Sequence, residues 1–377
     1  MNITRISWVK VRVPCRADSV NSPTWGIDAW ESMSRFIVTI HTDDGISGIG
    51  ETQRGVSEEA VRTSADALQG QDPFRLCWQE LPLGPDPSAL LAGWNSKEYP
   101  PRPHELTIPR NPAYAAFESA IFDLVGKALR VPVHYLLGGM YRERVPVDFW
   151  MGRRTPEDAE RRTALAVSLG FPGLKMKSGA GDPVVAQVEA ITRAGGDHFD
   201  IIIDPNQRYY RPAEAVRIAI ELERFPNITT IEDPMPVTNL EWYRLFRQKT
   251  TVPVAQHLFT PQQVMGALKA EACDYLNLAG TSMVSFIKSA AIADAAGIPV
   301  WHGSGLDLGL LEASYLHAAA VARNCVLPSD IFGRLVREHD LLTQPLSIRK
   351  GEAEVPSGPG LGVELDLDAV ERYAVRG

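Results

Sequence analysis

Apolar and polar residues alternate along two segments near the start of the chain, Arg5–Pro14 and Arg35–Thr42. Alternation with a period of two is typical of β-strands that bury one face. The turn sequence Asp43–Gly45 follows the second segment and leads into a third, Ile46–Glu51. This order predicts an antiparallel hairpin, and the residues that follow Ser57 predict a helix.

A different pattern begins at residue 113, where apolar residues recur at three- and four-residue intervals in AYAAFESAIFDLVGKALR. That spacing predicts a helix with a broad buried face. The helix is expected to end before Val131-Pro132, because a proline disfavours helical backbone in the residue that precedes it.

From residue 145 onward, short runs rich in β-branched residues alternate with helical segments. The predicted strands are 145–151, 173–177, 199–204, 228–233, 252–257, 275–278 and 299–303. The predicted helices include 156–169, 212–224, 261–270, 285–296 and 311–322. Repeated βα units predict a parallel sheet, and seven of them favour a barrel over an open sheet.

These patterns divide the chain into four predicted parts of an α/β protein. Residues 1–112 are expected to form an α+β capping domain, and residues 113–144 a helix and linker to the barrel. Residues 145–325 are expected to form a modified TIM (β/α) barrel. Residues 326–377 are expected to return to the capping domain.

Composition narrows the classes of function. The 377 residues are 45% hydrophobic, enough for a large core, and carry a formal net charge of −8. Such a chain is poorly suited to non-specific nucleic-acid binding, which needs concentrated basic surface. The four cysteines form no CxxC pattern and are expected to be reduced core thiols. No leader peptide or membrane span is predicted, so a cytoplasmic protein is expected.

Polar residues end several of the predicted barrel strands. Lys175 and Lys177 lie two residues apart, so strand alternation places both on one face. Asp204 and Glu232 end the next two strands along the chain, and His257 ends the one after. In a βα barrel the active site lies at the carboxyl ends of the strands. Two converging carboxylates suit Mg²⁺, and a lysine with a lowered pKa can act as a base.

Several motifs, in order along the chain, resemble those of the enolase superfamily, in its mandelate racemase and muconate lactonizing enzyme branch. They are TDDGISGIGET, AIFDLVGKALRVPVHYLLGG, KMK, DPN, IEDP and GPGLGVELD. The resemblance covers most of the chain and implies a cap on a modified barrel. It also implies Mg²⁺ and abstraction of the proton α to the carboxylate of a small-molecule substrate, through an enediolate. Members often assemble, so a homo-oligomer is expected.

The resemblance gives roles to the motif residues. Lys177 takes the position of the base. Lys175 takes the position of the supporting lysine, which holds the substrate carboxylate. Asp204 and Glu232 take the positions of the first two metal ligands.

The position of the third metal ligand lacks an acid. In the family the fifth strand ends in a carboxylate, and here different registers place Gln256, His257 or Leu258 there. We take His257 as the candidate ligand, and a neutral imidazole suits softer divalent ions better than Mg²⁺. The alternative is a metal held by Asp204, Glu232 and water, with His257 only hydrogen-bonded at the barrel mouth.

A second acid or base is expected from the seventh strand. Racemase-like members pair a histidine there with an aspartate from the sixth strand, and His302 and Asp274 take these positions. His302 lies one residue early, which turns it to the other face unless the following GSG forms a bulge. Its alternative is a packing role beside Trp301. The muconate-type lysine is replaced by Asn277, which disfavours that mechanism.

Three further residues are candidate substrate contacts. Asn206 follows the third-strand acid, and Asp307 matches an acidic position after the seventh strand. Trp25 lies in a loop that covers the substrate in the family.

Three functions stay open from the sequence. The first is α-proton abstraction, leading most directly to dehydration of a hydroxy or sugar acid, or else to racemisation or epimerisation. The second is a Schiff-base aldolase that uses Lys177. The third is a family member with a weakened metal site that only binds a ligand.

Overall fold

The structure, a computed structural model, describes four stretches of the chain: residues 1–20, 31–84, 111–279 and 282–376. Three antiparallel strands form the first sheet, in the order β1 (Ile3–Pro14), β2 (Ser32–Thr42) and β3 (Ser47–Glu51). This is the sheet that the alternating pattern predicts, with its turn at residues 43–45.

Four α-helices of the described residues precede the barrel: α1 (Ala17–Val20), α2 (Glu58–Leu68), α3 (Tyr114–Leu129) and α4 (Val133–Leu136). Helix α2 begins after Ser57, whose side chain accepts a hydrogen bond from the Ala60 backbone N–H. Helix α3 lies so close to β3 that a Cβ at Gly50 would come within 1.9 Å of the Ala116 carbonyl oxygen. Glycine is required at this contact because it alone lets strand and helix approach so closely.

A short strand, β4 (Arg144–Pro146), leads to the barrel. In the parallel sheet of the barrel, each strand pairs with the strands that precede and follow it in the sequence. Its strands are β5 (Phe149–Met151), β6 (Gly173–Lys177), β7 (Asp200–Asp204), β8 (Ile228–Glu232), β9 (Val254–Leu258), β10 (Tyr275–Leu278) and β11 (Val300–His302). The alternating helices are α5 (Pro156–Ser168), α6 (Val184–Gly195), α7 (Pro212–Leu222), α8 (Leu240–Lys249), α9 (Pro261–Lys269), α10 (Met283–Ala295) and α11 (Gly309–Val321). Apolar residues of strands and helices form one buried core.

An extended segment, residues 325–330, lies between β11 and β5 and closes the barrel. Isolated parallel bridges join it to β11 at Cys325 and to the residues before β5 at Ser329. Asp330 follows directly, and its backbone N–H donates a hydrogen bond of 2.8 Å to the His302 carbonyl. Asp330 therefore lies at the end of the barrel where the other strands finish.

Two predicted strands differ by more than one residue from the sequence pattern. The predicted strand 145–151 is divided, because β4 leaves the barrel and pairs with β13 (Glu352–Glu354), which in turn pairs with β12 (Ile348–Arg349). The predicted strand 252–257 begins at Val254 and continues to Leu258. His257 therefore lies inside a strand rather than at its end.

The end of the chain returns to the cap through a helix, α12 (Leu367–Tyr373). Ala374 then pairs with Val11 of β1, and the Val375 N–H donates to the Lys10 carbonyl at 2.8 Å. The predicted fold class is confirmed: a modified barrel of parallel strands carries a capping domain with an antiparallel sheet.

Two further expectations concern membrane spans and the cysteine thiols. None of the helices in the described stretches is long and apolar enough to cross a membrane. The thiols of Cys15, Cys273 and Cys325 are buried, whereas that of Cys77 is exposed. The prediction of core thiols is therefore wrong for Cys77, which lies in an irregular part of the cap.

Candidate active site

A cleft of about 460 Å³ lies at the carboxyl ends of the barrel strands. The charged residues on its floor come from β6, β7, β8 and the closing segment, and they are Lys175, Lys177, Asp204, Glu232 and Asp330. Further charged residues line the cleft around this floor: Arg54, Arg208, Asp233 and Asp307. Alternation along β6 explains the placement of the lysines. Leu174 and Met176 pack into the core between strands and helices, so the two lysines face the barrel interior.

Lys175 is buried at the centre of this floor among three carboxylates. Its ammonium nitrogen lies 3.0 and 2.9 Å from the two oxygens of Asp330. The same nitrogen lies 2.7 Å from Glu232 Oε2 and 3.6 Å from Asp204 Oδ2. Burial by itself lowers the pKa of Lys175, but the negative charges, Asp330 foremost, outweigh burial and raise the pKa well above its ordinary value. Lys175 is therefore a fixed positive charge and not a base.

Lys177 lies nearer the opening of the cleft. Its side chain is 18% exposed, against 2% for Lys175. Its amine donates a hydrogen bond to Asp204 Oδ2, and the Asn206 backbone N–H donates to Asp204 Oδ1 at 2.9 Å. Burial opposes ionisation of Asp204, but the two lysine charges prevail and lower its pKa to about 2. Asn206 itself lines the cleft, as predicted for a substrate contact.

Glu232 is fully buried between a cation and an amide. Its Oε2 pairs with Lys175, and its Oε1 accepts a hydrogen bond of 2.8 Å from Asn277 Nδ2. The same amide nitrogen lies 3.3 Å from Asp330 Oδ2. Burial, and then the negative charge of Asp204, raise the pKa of Glu232 to about 7.

His257 is the β9 residue that faces the carboxylates. It lines the cleft, and its Nδ1 lies 3.6 Å from Glu232 Oε1. Strand alternation turns Gln256 and Leu258 to the opposite face. Of these three residues, His257 is the one that lines the cleft. Burial and then the Lys175 charge lower the pKa of His257 to about 3, so its imidazole is neutral at pH 7.

His302 does not face the cleft. Its ring lies between Phe286 of α10 and Tyr315 of α11, with centroid distances of 4.3 and 4.0 Å. Its Nδ1 donates a hydrogen bond of 2.7 Å to the Gly303 carbonyl. The bulge needed to re-aim His302 is not formed, so Trp301 points inward and His302 points to the helices. His302 therefore does not lie where a catalytic residue is expected. It lies in a packing position, which is its alternative.

Asp274 lies at the opposite end of the barrel from the cleft. Its Oδ2 accepts a hydrogen bond of 2.9 Å from the Val254 N–H, and its Oδ1 lies 2.7 Å from Arg247 Nη2. The predicted pair with His302 is not formed, because Asp274 precedes β10 whereas His302 ends β11.

The buried imidazole of His302 makes the fold sensitive to acid. Burial lowers the pKa of His302 to about 4, whereas the unfolded chain keeps a pKa near its ordinary value of 6.5. Its contribution to stability is therefore full above pH 6.5 and is lost as the pH falls towards 4. Between pH 7 and pH 5 this loss amounts to about 2 kcal/mol.

We expect His302→Phe, which keeps an aromatic ring in the stack, to remove this loss. The free energy of unfolding should then differ between pH 7 and pH 5 by about 2 kcal/mol less than in wild type. Urea unfolding at the two pH values measures the difference. Trp301→Phe is the control, since it changes a neighbouring ring without a titrating group. An equal difference in wild type and His302→Phe would remove His302 from the acid response.

The chain was compared with known proteins. A family model described as "Enolase C-terminal domain-like" matches residues 157–369, more than half of the chain. Muconate cycloisomerase 1 of Rhodococcus opacus is 32% identical over 269 residues, which cover 69% of this chain and 72% of that protein. The chain belongs to the enolase superfamily, in the mandelate racemase and muconate lactonizing enzyme family.

Other members of this family that resemble the chain carry the names of different enzymes. N-succinyl-L-Arg/Lys racemase of Bacillus cereus is 26% identical over an alignment that covers 100% of this chain and 98% of that protein. Its crystal structure matches the fold with a TM-score of 0.83 at 25% identity over 100% of this chain and 99% of that one. D-xylonate dehydratase of Haloferax volcanii is 27% identical over 91% of this chain and 86% of that protein. Membership therefore supports the family's type of reaction and leaves the particular reaction open.

The family implies a Mg²⁺ site, and the donor atoms here do not fit one. Mg²⁺ requires near-octahedral coordination, largely by oxygen. Only Asp204 and Glu232 occupy expected ligand positions with carboxylates, and His257 offers a neutral nitrogen at the third. Within the described stretches, no group of three or more His, Cys, Asp or Glu side chains is arranged to hold a metal ion.

Asp330 is a cleft residue that the sequence patterns do not predict. The run VLPSD does end on an acid after apolar residues, as the strand that ends at Asp204 does. Its proline and its shortness conceal that it closes the barrel, and the predicted barrel ends before it, at residue 325. Asp148 lies nearby, fully buried. Burial and then the Asp330 charge raise the pKa of Asp148 well above its ordinary value.

Asp307 and Trp25 are the other two predicted substrate contacts. Asp307 lines the cleft, but both its oxygens have protein partners. Arg35 from the cap lies 3.1 Å from Oδ1, and Tyr315 and the Gly305 N–H donate to Oδ2 at 2.9 Å. Asp307 therefore fastens the cap to the barrel rim. Trp25 lies outside the described residues.

The contact between Gly303 and Asn277 leaves no room for a side chain. A Cβ at Gly303 would lie 2.1 Å from Asn277 Oδ1 and 3.0 Å from His257 Nε2. We expect Gly303→Ala to displace Asn277 from Glu232 and to destabilise the protein by about 1–3 kcal/mol, as overpacked cores do. Thermal unfolding and substrate turnover would measure both effects.

Gly305→Ala is the matched control, because a Cβ there would meet Asp307 oxygens at 3.5 and 3.7 Å, an ordinary contact distance. Equal effects of the two substitutions would show that the Gly303 contact does not hold the site together.

Proposed function

We propose that the protein removes the proton α to the carboxylate of a small hydroxy acid and then eliminates water from it. The observation that carries this proposal is the pairing of two lysines with different surroundings at the cleft. Lys177 is partly accessible, whereas Lys175 is a buried cation among carboxylates.

The two lysines have separate tasks in this proposal. The Lys175 charge attracts the substrate carboxylate and stabilises the negative charge that develops on it as the α-proton leaves. A fixed charge in a water-poor site stabilises such an intermediate more strongly than the same charge in water. Lys177 is the proposed base and takes the α-proton after its ammonium has released a proton to solvent.

A single base suffices for this elimination. The Cα–H bond breaks and the proton moves to the Lys177 amine. The β C–O bond then breaks as the Cα=Cβ bond forms, and the leaving hydroxide takes the proton from Lys177 to become water. In a 2,3-dihydroxy acid the α-carbon keeps its own hydroxyl, so the product is an enol, which converts to a 2-keto acid. Racemisation instead requires a proton on the opposite face, and the residue predicted for that task, His302, packs among the helices.

The lining of the cleft favours a hydroxylated substrate. Asn206, Gln207, Ser304 and Gln53 from the cap provide amide and hydroxyl groups around the charged floor. Such groups suit the several hydroxyls of a sugar acid, which a wholly apolar pocket would reject. A dehydratase is also among the similar proteins, D-xylonate dehydratase of Haloferax volcanii.

The second candidate is a protein that binds a carboxylate without reacting with it. The absence of an acid at the third ligand position, where β9 has His257, favours this candidate. It predicts ligand binding with no chemical change.

One experiment separates these functions. The protein is incubated in D₂O with a panel of sugar acids and other 2,3-dihydroxy acids, and products are followed by proton NMR. The proposal predicts a 2-keto acid from at least one of them. An epimer with deuterium at the α-carbon would indicate racemisation or epimerisation. A ligand that raises the melting temperature but stays unchanged would favour the binding role. Borohydride trapping at Lys177 would indicate the aldolase.

A further inference from the structure

We infer that the resident cation of this site is the Lys175 ammonium, which occupies the place where the family's divalent metal would sit, and that the protein does not bind a divalent cation tightly. The donor atoms of this chain differ from those that the family's metal site requires.

Every oxygen of the two expected carboxylate ligands already has a partner. Asp204 Oδ1 accepts from the Asn206 backbone N–H, and its Oδ2 accepts from Lys177. Glu232 Oε1 accepts from Asn277, and its Oε2 lies 2.7 Å from the Lys175 nitrogen. A divalent ion would have to displace these partners before it could bind both carboxylates.

Lys175 is held in place from its far side by an acid. Asp330 approaches its nitrogen with both oxygens, at 3.0 and 2.9 Å. Moving Lys175 aside for a metal would break this pair and leave the Asp330 charge buried without a partner, which is strongly unfavourable. The lysine is therefore a built part of the floor and not a mobile side chain that a metal can displace.

The charge at the third ligand position points the same way. The third ligand position, His257, adds no negative charge that would call for a divalent ion. A Cβ added at Gly303 would come within 3.0 Å of the His257 ring Nε2, so space on that side of the ring is limited.

The use of this cation in catalysis rests on the proposed function: the ammonium would stabilise the enediolate in place of a metal. Its occupancy of the site does not rest on that function. The two claims can therefore be tested separately.

The test is a calorimetric titration of chelator-treated protein with Mn²⁺. We expect wild type to bind Mn²⁺ with a Kd weaker than about 1 mM. We expect Lys175→Met, which removes the ammonium beside both carboxylates, to bind Mn²⁺ at least about tenfold more tightly, a change of 1.4 kcal/mol. Lys269→Met, an exposed lysine at the end of α9, is the control and leaves Mn²⁺ binding unchanged.

Two results would overturn the inference. One is tight binding of Mn²⁺ by wild type, with a micromolar Kd. The other is weak binding by both wild type and Lys175→Met, which would show that the ammonium does not hold the cation's place. If Lys175→Met does not fold, Lys175→Gln replaces it, because its amide can donate hydrogen bonds to the same carboxylates.

Hydrogen exchange at the substrate α-carbon separates this inference from the proposed function. Exchange by chelator-treated wild type supports both. Exchange that requires added Mn²⁺ overturns the inference and leaves α-proton abstraction in place. Weak Mn²⁺ binding with no exchange for any acid in the panel supports the cation's place and overturns the proposed function.

Discussion

Replacing Lys177 with alanine is expected to lower the rate of α-hydrogen exchange on the order of 10³-fold, because the substitution removes the proposed base. Lys175, the other amine on the floor, is held as an ammonium by Asp330 and Glu232 and cannot take over. The measurement is the loss of the substrate α-proton signal in D₂O, for wild type and variant at equal protein concentration.

Lys177→Arg separates the base from the ion pair. Arginine keeps a positive charge beside Asp204 but stays protonated, so it cannot accept the α-proton. We expect Lys177→Arg to lose exchange as Lys177→Ala does, with a melting temperature close to that of wild type. Retained exchange in Lys177→Arg would exclude Lys177 as the base and leave it a structural partner of Asp204.

Replacing Arg337 with methionine is expected to destabilise the protein by about 3–5 kcal/mol, the usual effect of leaving buried charges without a partner. The guanidinium is fully buried. It lies 2.8 Å from Glu312 Oε1 on α11, 2.7 Å from Asp340 Oδ1 and 2.6 Å from the Asp307 carbonyl. The hydrogen bond from Arg337 to the Asp307 carbonyl also holds the loop that carries Asp307. We therefore expect the turnover of the variant to stop near its own, lowered unfolding temperature. Urea unfolding would measure the change.

The control for this prediction is Arg334→Met. Arg334 is 37% exposed, and its Nε lies 3.4 Å from Asp340 Oδ2. A pair of this kind contributes less than about 1 kcal/mol. Similar destabilisation by the two substitutions would show that the buried Arg337 network does not carry the predicted share of stability.

Most of the fold follows from periodicity. Alternation of period two predicts the cap sheet, and the βα repeat predicts the barrel strands, with β6 at 173–177 as expected. Periodicity does not predict two features of the barrel. Strand β4 leaves the barrel for a small sheet whose partners lie about 200 residues further along the chain. The closing segment has too few β-branched residues and a proline, so it resembles a loop.

The candidate site was predictable where alternation and strand ends settle the geometry. Lys175 and Lys177 differ by two positions and share a face, and Asp204 and Glu232 end adjacent strands, so all four meet. Their roles in catalysis stay predictions.

The remaining site residues depend on geometry that periodicity does not settle. The face on which His302 lies depends on a single residue of register. Asp274 begins its strand, so it lies at the far end of the barrel from the cleft. Asp330 depends on recognising the closing segment, and no local pattern indicates that this acid would anchor Lys175.

The proposed function depends on the removal of an α-proton from a carboxylate at this cleft, and a deuterium label at the α-carbon reports that step. A hydroxy acid that stabilises the protein against heat is prepared with deuterium at the α-carbon and incubated with wild-type protein in ordinary water. We expect deuterium to pass from the substrate into the solvent, with a 2-keto acid as product. Deuterium that stays at the α-carbon through turnover, or after prolonged incubation with every acid that binds, would contradict the proposed function.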